Sequence, residues 1–452
     1  MTVLDAVKLP DRAGHLKVLQ ADWVVPVQPE NQVLRDHLVV IDGAVIKAVI
    51  STDQLARDYP DYPKAAVQKL PGCALIPGLV NAHAHSAMSL MRGLADDLPL
   101  MRWLEDHIWP AEQRWVGPEF VRAGSELAIA EMLAGGTTCF NDNYFFPDVT
   151  AECAIQAGMR ATVGMPMIRF PTAWAQSEDE YIEKGLGVHD SVKNQALIST
   201  SFVPHAPYTV TDSAFARLRD LAEQLDVPIH LHLLEAPGEI EGSVKEYGLH
   251  PLERLERLGL LDSRLLAVHM TQLDSDDMDK IAAAGAHVLH CPASNLKLAS
   301  GICPVTELDQ RGVNIAIGTD GAASNNTLDM FAEMRLAALL AKGASGNPEA
   351  IPAARALTMA TLSGARALGL EAEIGTIEVG KQADLVAVNL DDLSTQPVHN
   401  IVSQLVYACT RRQVEQVWVA GRSVYAEGAV VNIDDDHLKR QTRDWQARLH
   451  SS

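Results

Sequence analysis

Residues 73–85 read Cys-Ala-Leu-Ile-Pro-Gly-Leu-Val-Asn-Ala-His-Ala-His: an apolar run, Cys73–Val80, that leads into two histidines spaced by one residue. Strand side chains alternate with period two, so His83 and His85 point the same way, within reach of one ion. The texture recurs seven times, at Thr137–Phe140, Arg160–Gly164, Leu197–Val203, Pro228–Leu233, Leu265–His269, His287–His290 and Asn314–Gly318. Continuous apolar runs mark parallel strands covered on both faces. Between them lie helical patterns such as Glu119–Ala134 and Ser213–Leu225, where Phe215, Leu218, Leu221 and Leu225 share one face. Eight strand–helix units over residues 70–375 predict an α/β fold, a (β/α)8 TIM barrel. A doubly wound open sheet is the weaker alternative, because no Gly-rich phosphate turn follows the first run.

Outward from the barrel, both ends of the chain are β-rich. His37–Asp42 and Gly43–Ile50 read as a hairpin turning near Asp42-Gly43, a pair suited to positive φ. Ala383–Asn389 and Gln416–Tyr425 have the same texture, so residues 1–69 and 376–452 are expected to pair as one small β domain around the inserted barrel. One connection is unusually long. Ser86 to Val116, 31 residues, follows the first strand and carries Met88, Met91, Met101, Trp103, Trp109 and Trp115. Loops of that length at this end of a barrel usually serve the site, so it reads as a lid with an apolar wall.

The chemistry sits where the strands end. Besides His83 and His85, the fourth ends at His205, the fifth at His230-Leu-His232 with Glu235 three residues on, the sixth at His269 and the eighth at Asp320. The C-terminal face is where such barrels carry their active sites. His83, His85, His232 and Asp320 supply three imidazoles and a carboxylate, a set suited to Zn²⁺ or a similar divalent ion with a position left for water. No cysteine joins the set, which argues against a closed structural site, and no lysine ends the fourth strand, so one metal is expected. His230 and His287 read as structural, and either His205 or His269 alone could be an ordinary core imidazole.

Composition narrows the class. The 452 residues carry 37 Lys and Arg against 58 Asp and Glu, a formal charge of −21, which argues against a nucleic-acid surface but not against a nucleoside. A hydrophobic share of 47% is ordinary for a globular chain. The six cysteines form no CxxC pair and read as reduced thiols of a cytoplasmic protein. The start, MTVLDAVKLPDR, lacks the pattern of a signal peptide, and no stretch is apolar enough to span a bilayer.

The stretches PGLVNAHAH (77–85), HLHLLE (230–235), VHM (268–270), GTDGAASNN (318–326) and GTIEVGKQADLVAVNL (375–390) resemble the amidohydrolase superfamily. The resemblance covers nearly the whole chain and implies a metal-dependent barrel with a small β-sandwich built from both termini. Within the superfamily the chain looks most like the 5′-methylthioadenosine/S-adenosylhomocysteine deaminases. The features are MRGLADDLPL (91–100), Trp109-Pro-Ala-Glu112, Pro204-His205-Ala-Pro-Tyr208 and His290-Cys-Pro-Ala-Ser-Asn295.

The resemblance implies hydrolytic deamination at a C–N bond of a cyclic amidine, with one Zn²⁺ per chain as cofactor. Glu235 would protonate N1 of the adenine and assist departure of ammonia, His269 would orient the attacking water, and Asp320 would accept its proton. Glu112 would hold the ribose hydroxyls and His205 the sugar and purine, while Arg169 is a candidate for the amino-acid carboxylate of S-adenosylhomocysteine. The expected partner is a small nucleoside, with no nucleic acid and no membrane, and a homo-oligomer stays open. Guanine deaminases and triazine amino- or chlorohydrolases are the rivals on the same scaffold. A catalytically silent metal-binding scaffold is the rival from another class, disfavoured because it would need none of Glu235, His269 and Asp320.

Overall fold

The computed structural model describes residues 16–60, 62 and 66–450. The N-terminal stretch read for a signal peptide lies outside the described residues. Eight parallel strands form the barrel: β6 (Leu79–Ala84), β7 (Thr137–Asp142), β8 (Arg160–Met167), β9 (Ile198–Pro204), β10 (Ile229–Leu233), β11 (Leu265–His269), β12 (His287–His290) and β13 (Ile315–Ile317). They are hydrogen-bonded in chain order, each to the next. Closure is made where β13 meets β6, with the Asp320 N–H donating to the His83 carbonyl at 3.0 Å. Gly318 permits that approach, since a Cβ there would lie 2.7 Å from the His83 nitrogen.

The two ends do pair. A nine-stranded mixed sheet joins β1 (Leu16–Val24), β2 (Leu34–Arg35), β3 (His37–Asp42), β4 (Val45–Ser51) and β5 (Gln68–Pro77) to four C-terminal strands. These are β14 (Leu385–Asn389), β15 (Val414–Val419), β16 (Arg422–Ala426) and β17 (Ala429–Val430). The seam is β5 against β14, antiparallel, with Leu385 opposite Pro77 and Asn389 opposite Cys73. The expected hairpin is present, β3 and β4 pairing across a turn in which Gly43 has φ 62°.

One reading of the sequence is corrected. The run Cys73–Val80 is not one strand: its first part is the end of β5 in the mixed sheet, and only Leu79-Val80 belongs to the barrel. The N-terminal part of that sheet therefore extends to Pro77, past the expected boundary at 69. Gly78 makes the switch, because any side chain there would collide with Thr138, whose Oγ1 would sit 2.0 Å from a Cβ. Periodicity cannot see this, since both strands are buried and read alike.

The long connection is folded. It consists of short helical turns at Ser86–Met91, Leu100–Trp103, Leu104–Ile108 and Trp109–Trp115. The C-terminal helix Asp435–His450 braces it from outside: the Trp445 ring meets Trp115 at 6.3 Å and Phe120 at 5.3 Å, both edge-on. Among the described residues no helix is long and apolar enough to cross a membrane.

Candidate active site

His83 lies on β6 and His85 one residue beyond it; His232 lies on β10, His269 ends β11, and Asp320 follows β13. The structure brings all five together. Asp320 Oδ1 is 3.3 Å from both His83 Nε2 and His85 Nε2, and His232 Nε2 is 3.3 Å from His85 Nε2. Two triads, His83–His85–His232 and His83–His269–Asp320, each keep their donor atoms within 4.8 Å of one another.

The imidazoles are held from behind. His85 Nδ1 and His232 Nδ1 donate to the carbonyls of Asn143 and His205, the latter at 2.6 Å, and His269 Nδ1 donates to Asn295 Oδ1 at 2.8 Å. A proton fixed on Nδ1 leaves the Nε2 lone pair facing the centre, the usual way a ligating histidine is oriented. His83 is backed by a further imidazole, with His230 Nε2 2.8 Å from its Nδ1. His230 shares the face of His232, two residues earlier on β10, so it lies one layer deeper and touches the His/Asp cluster from below. Asp320 accepts from the hydroxyl of Ser324 at 2.9 Å, from the hydroxyl of Ser294, and from the Gly321 N–H at 2.7 Å.

The electrostatics match that arrangement. Burial pushes His83 and His205 down to about 4 and holds His232 well below its usual range, so these imidazoles are neutral near pH 7. Burial works against the Asp320 carboxylate, but the His83 and His85 imidazoles beside it outweigh that and hold its pKa well below the usual range. His83 Nε2 is fully buried and has no hydrogen-bond partner. An orphaned buried polar atom costs about 1–3 kcal/mol, and a cation held by these four side chains would satisfy it. Three imidazoles and a carboxylate fit a divalent ion of the zinc type.

Glu235 sits beside this cluster, its Oε2 3.7 Å from His269 Nε2. Burial raises its pKa, although the neighbouring His269 opposes the shift. Its backbone is clamped at both ends: the N–H donates to Glu239 Oε2 at 2.9 Å and the carbonyl accepts from Thr271 Oγ1 at 2.6 Å. Leu234, His269, Met270 and Asp320 all have positive φ, between 50° and 73°. Such strain at non-glycine residues clusters at functional sites, where the surroundings over-determine the backbone.

A cavity of about 820 Å³ opens from the cluster, within the usual range for small-molecule sites. His85, His205, His232, Glu235, His269 and Asp320 line its floor, and Met88, Trp103, Trp109 and Glu112 its lid side. The apolar wall is smaller than expected from the sequence. Met91 is buried in the core, Met101 faces solvent, and Trp115 packs on Trp445, so none of the three lines the cavity. Glu112 accepts a hydrogen bond from the Tyr144 hydroxyl at 2.8 Å, and burial pushes its carboxyl up to about 7 against that bond.

Arg169 departs most from expectation. It is not among the cavity-lining residues: its guanidinium pairs with Glu246 at 3.0 Å and lies over the Phe170 ring, 5.2 Å from the centroid. Sequence reasoning missed Tyr144, Glu239 and Thr271, which carry no motif of their own. Ser294 and Asn295 stand in a quoted stretch, but nothing in it assigned them to Asp320 and His269.

A model of the amidohydrolase family matches residues 74–424. The 5-methylthioadenosine/S-adenosylhomocysteine deaminase of Teredinibacter turnerae is 49% identical over 431 residues, covering 95% of this chain and 97% of its own. A crystal structure of an adenosine deaminase from Xanthomonas campestris with bound zinc superposes with TM-score 0.94 at 52% identity, covering 96% of this chain and 98% of that one. Atrazine chlorohydrolase from Arthrobacter aurescens, TM-score 0.87 at 24% identity over 95% and 99%, shares the fold.

Proposed function

This chain belongs to the amidohydrolase family, and on that premise we propose that it is a zinc-dependent deaminase of adenosine-type nucleosides. It converts 5′-methylthioadenosine, S-adenosylhomocysteine or adenosine, with water, to the inosine analogue and ammonia. The observation that carries the reading is the buried Glu235–His269 pair beside the His/Asp cluster, at the floor of a cavity whose wall holds a second, half-buried carboxylate, Glu112.

His83, His85, His232 and Asp320 would hold the ion, one per chain. When bound, zinc supplies Lewis acidity that can lower the pKa of water from about 15.7 to about 7. The rest is the work of side chains. Asp320 accepts the proton of the attacking water. His269, oriented by Asn295, directs the water at C6 and steadies the charge that develops there. Glu235, kept protonated more readily by its burial, gives its proton to N1 so that charge does not build in the ring, then assists ammonia to leave. Glu112 accepts from the ribose hydroxyls, and His205 contacts the sugar side. A free purine or a triazine offers no vicinal diol, which separates this reading from guanine and triazine hydrolysis. Six free, buried cysteines support a reducing, cytoplasmic setting.

The direct test follows ammonia release and the adenine absorbance change with the three nucleosides; none of them reacting would reject the assignment. Elemental analysis of active protein should find one equivalent of zinc per chain, and two equivalents would reject the single site. Glu112→Ala should raise KM for adenosine while changing little for 2′,3′-dideoxyadenosine. Ionised carboxylate is the better acceptor, so KM for adenosine should also fall as pH rises through about 7, the value to which burial pushes Glu112. An equal response of the two nucleosides to the substitution would contradict the diol contact.

A further inference from the structure

The cavity holds an asymmetry of charge. Its charged lining consists of carboxylates and imidazoles; neither lysine nor arginine is among the lining residues. On the lid side the charged lining groups are Glu105 and Glu112, which in their ionised form favour a neutral or cationic ligand over an anionic one. Arg169 stands next to this space, between Ile168 and Phe170, which do line it. Phe170 is half exposed, and the Arg169 guanidinium lies 5.2 Å from the centre of its ring. The guanidinium is instead bound to Glu246, near the end of helix Gly238–Tyr247, at 3.0 Å, with Tyr247 as a further side-chain partner.

We infer that Glu246 is a specificity-determining residue: it withholds Arg169 from the cavity and so disfavours nucleosides whose 5′ substituent ends in a carboxylate. The inference rests on the deaminase reading and adds to it which 5′ groups are accepted. A methylthio group needs only the apolar side chains Trp103, Ile108, Ile168 and Phe170 that line the cavity. The tail of S-adenosylhomocysteine carries a carboxylate that must either enter uncompensated or take Arg169 from Glu246. Arginine meets a carboxylate through paired N–H donors, and the substrate and Glu246 compete for the same fork. Both partners are partly exposed, 32% and 45% for the side chains, so their pair is weak enough to be exchanged and its removal should shift rates by a few-fold rather than by orders of magnitude. Specificity of this kind comes from denying a partner to the wrong ligand.

The test measures kcat/KM for 5′-methylthioadenosine and S-adenosylhomocysteine in the wild type, in Glu246→Gln and in Glu246→Gln/Arg169→Ala, all as zinc-loaded full-length protein. Glu246→Gln should raise the value for S-adenosylhomocysteine about three- to ten-fold and leave that for 5′-methylthioadenosine within two-fold. The double variant should lose the gain. Unchanged selectivity in Glu246→Gln, or a gain that survives loss of Arg169, would overturn the inference while leaving deamination itself intact. Failure of the wild type to deaminate these two nucleosides would overturn the inference, and failure with adenosine as well would reject the underlying reading.

Discussion

Glu235→Gln should fold, retain its metal and lose about 10²–10⁴-fold in kcat, the range associated with a positioned general acid. The amide is nearly isosteric with the carboxyl and cannot deliver a proton to N1. The backbone around it does not depend on the side chain: the Glu235 N–H is held by Glu239 and its carbonyl by Thr271, at 2.9 and 2.6 Å. Nor is Glu235 part of either close triad, so zinc content should stay at the wild-type level. The comparison is therefore kcat against metal per chain in the same preparation. Activity within a few-fold of wild type would remove Glu235 from the proton transfer, and loss of zinc would place it among the ligands.

Asp384→Ala should destabilise the protein by about 3–5 kcal/mol, the cost of leaving a buried charge without its partner. Arg160 on β8 and Asp384, just before β14, meet at 3.1 Å with side-chain exposures of only 3% and 1%. Asp384 also accepts the Ala420 N–H at 2.8 Å, and Arg160 reaches Gln382 at 2.8 Å, so one carboxylate ties the barrel to both halves of the C-terminal strand system. Its removal leaves the Arg160 Nε–H and the Ala420 N–H without their acceptor, while the guanidinium keeps Gln382 at 2.8 Å and the more distant Glu373 at 3.7 Å. Thermal and denaturant unfolding should both show the loss. A midpoint equal to that of the wild type would mean that water replaces the carboxylate at no cost. Replacing both residues by apolar side chains of similar volume should restore much of the stability, because paired buried charges add little over a packed apolar contact.

Much of the architecture was legible in the chain. Barrel strands buried on both faces read as apolar runs whatever their partners, and the helices between them show their own period. The misread run at Cys73–Val80 shows the limit of that signal. Two buried strands joined at Gly78 have one texture, and only the contact with Thr138 reveals that the chain changes sheet there. The lid was legible as a long insertion, but which of its Met and Trp residues face the cavity was not, because four short helical turns give it no lasting periodicity.

For the site the division is equally physical. Local pattern alone marks which residues stand at the C-terminal ends of the strands, because side-chain direction alternates locally and parallel strands all end on one face. His83, His85, His205, His232, His269 and Asp320 are each readable in that way. What each of them is bonded to emerges only in the folded chain. His230 meets His83 across 147 residues, Glu112 meets Tyr144 across 32, and Arg169 meets Glu246 across 77. Those pairings depend on barrel closure and on where the loops come to rest. Periodicity carries no record of either, since it describes the direction of a side chain from its own backbone and nothing of what another loop brings to meet it.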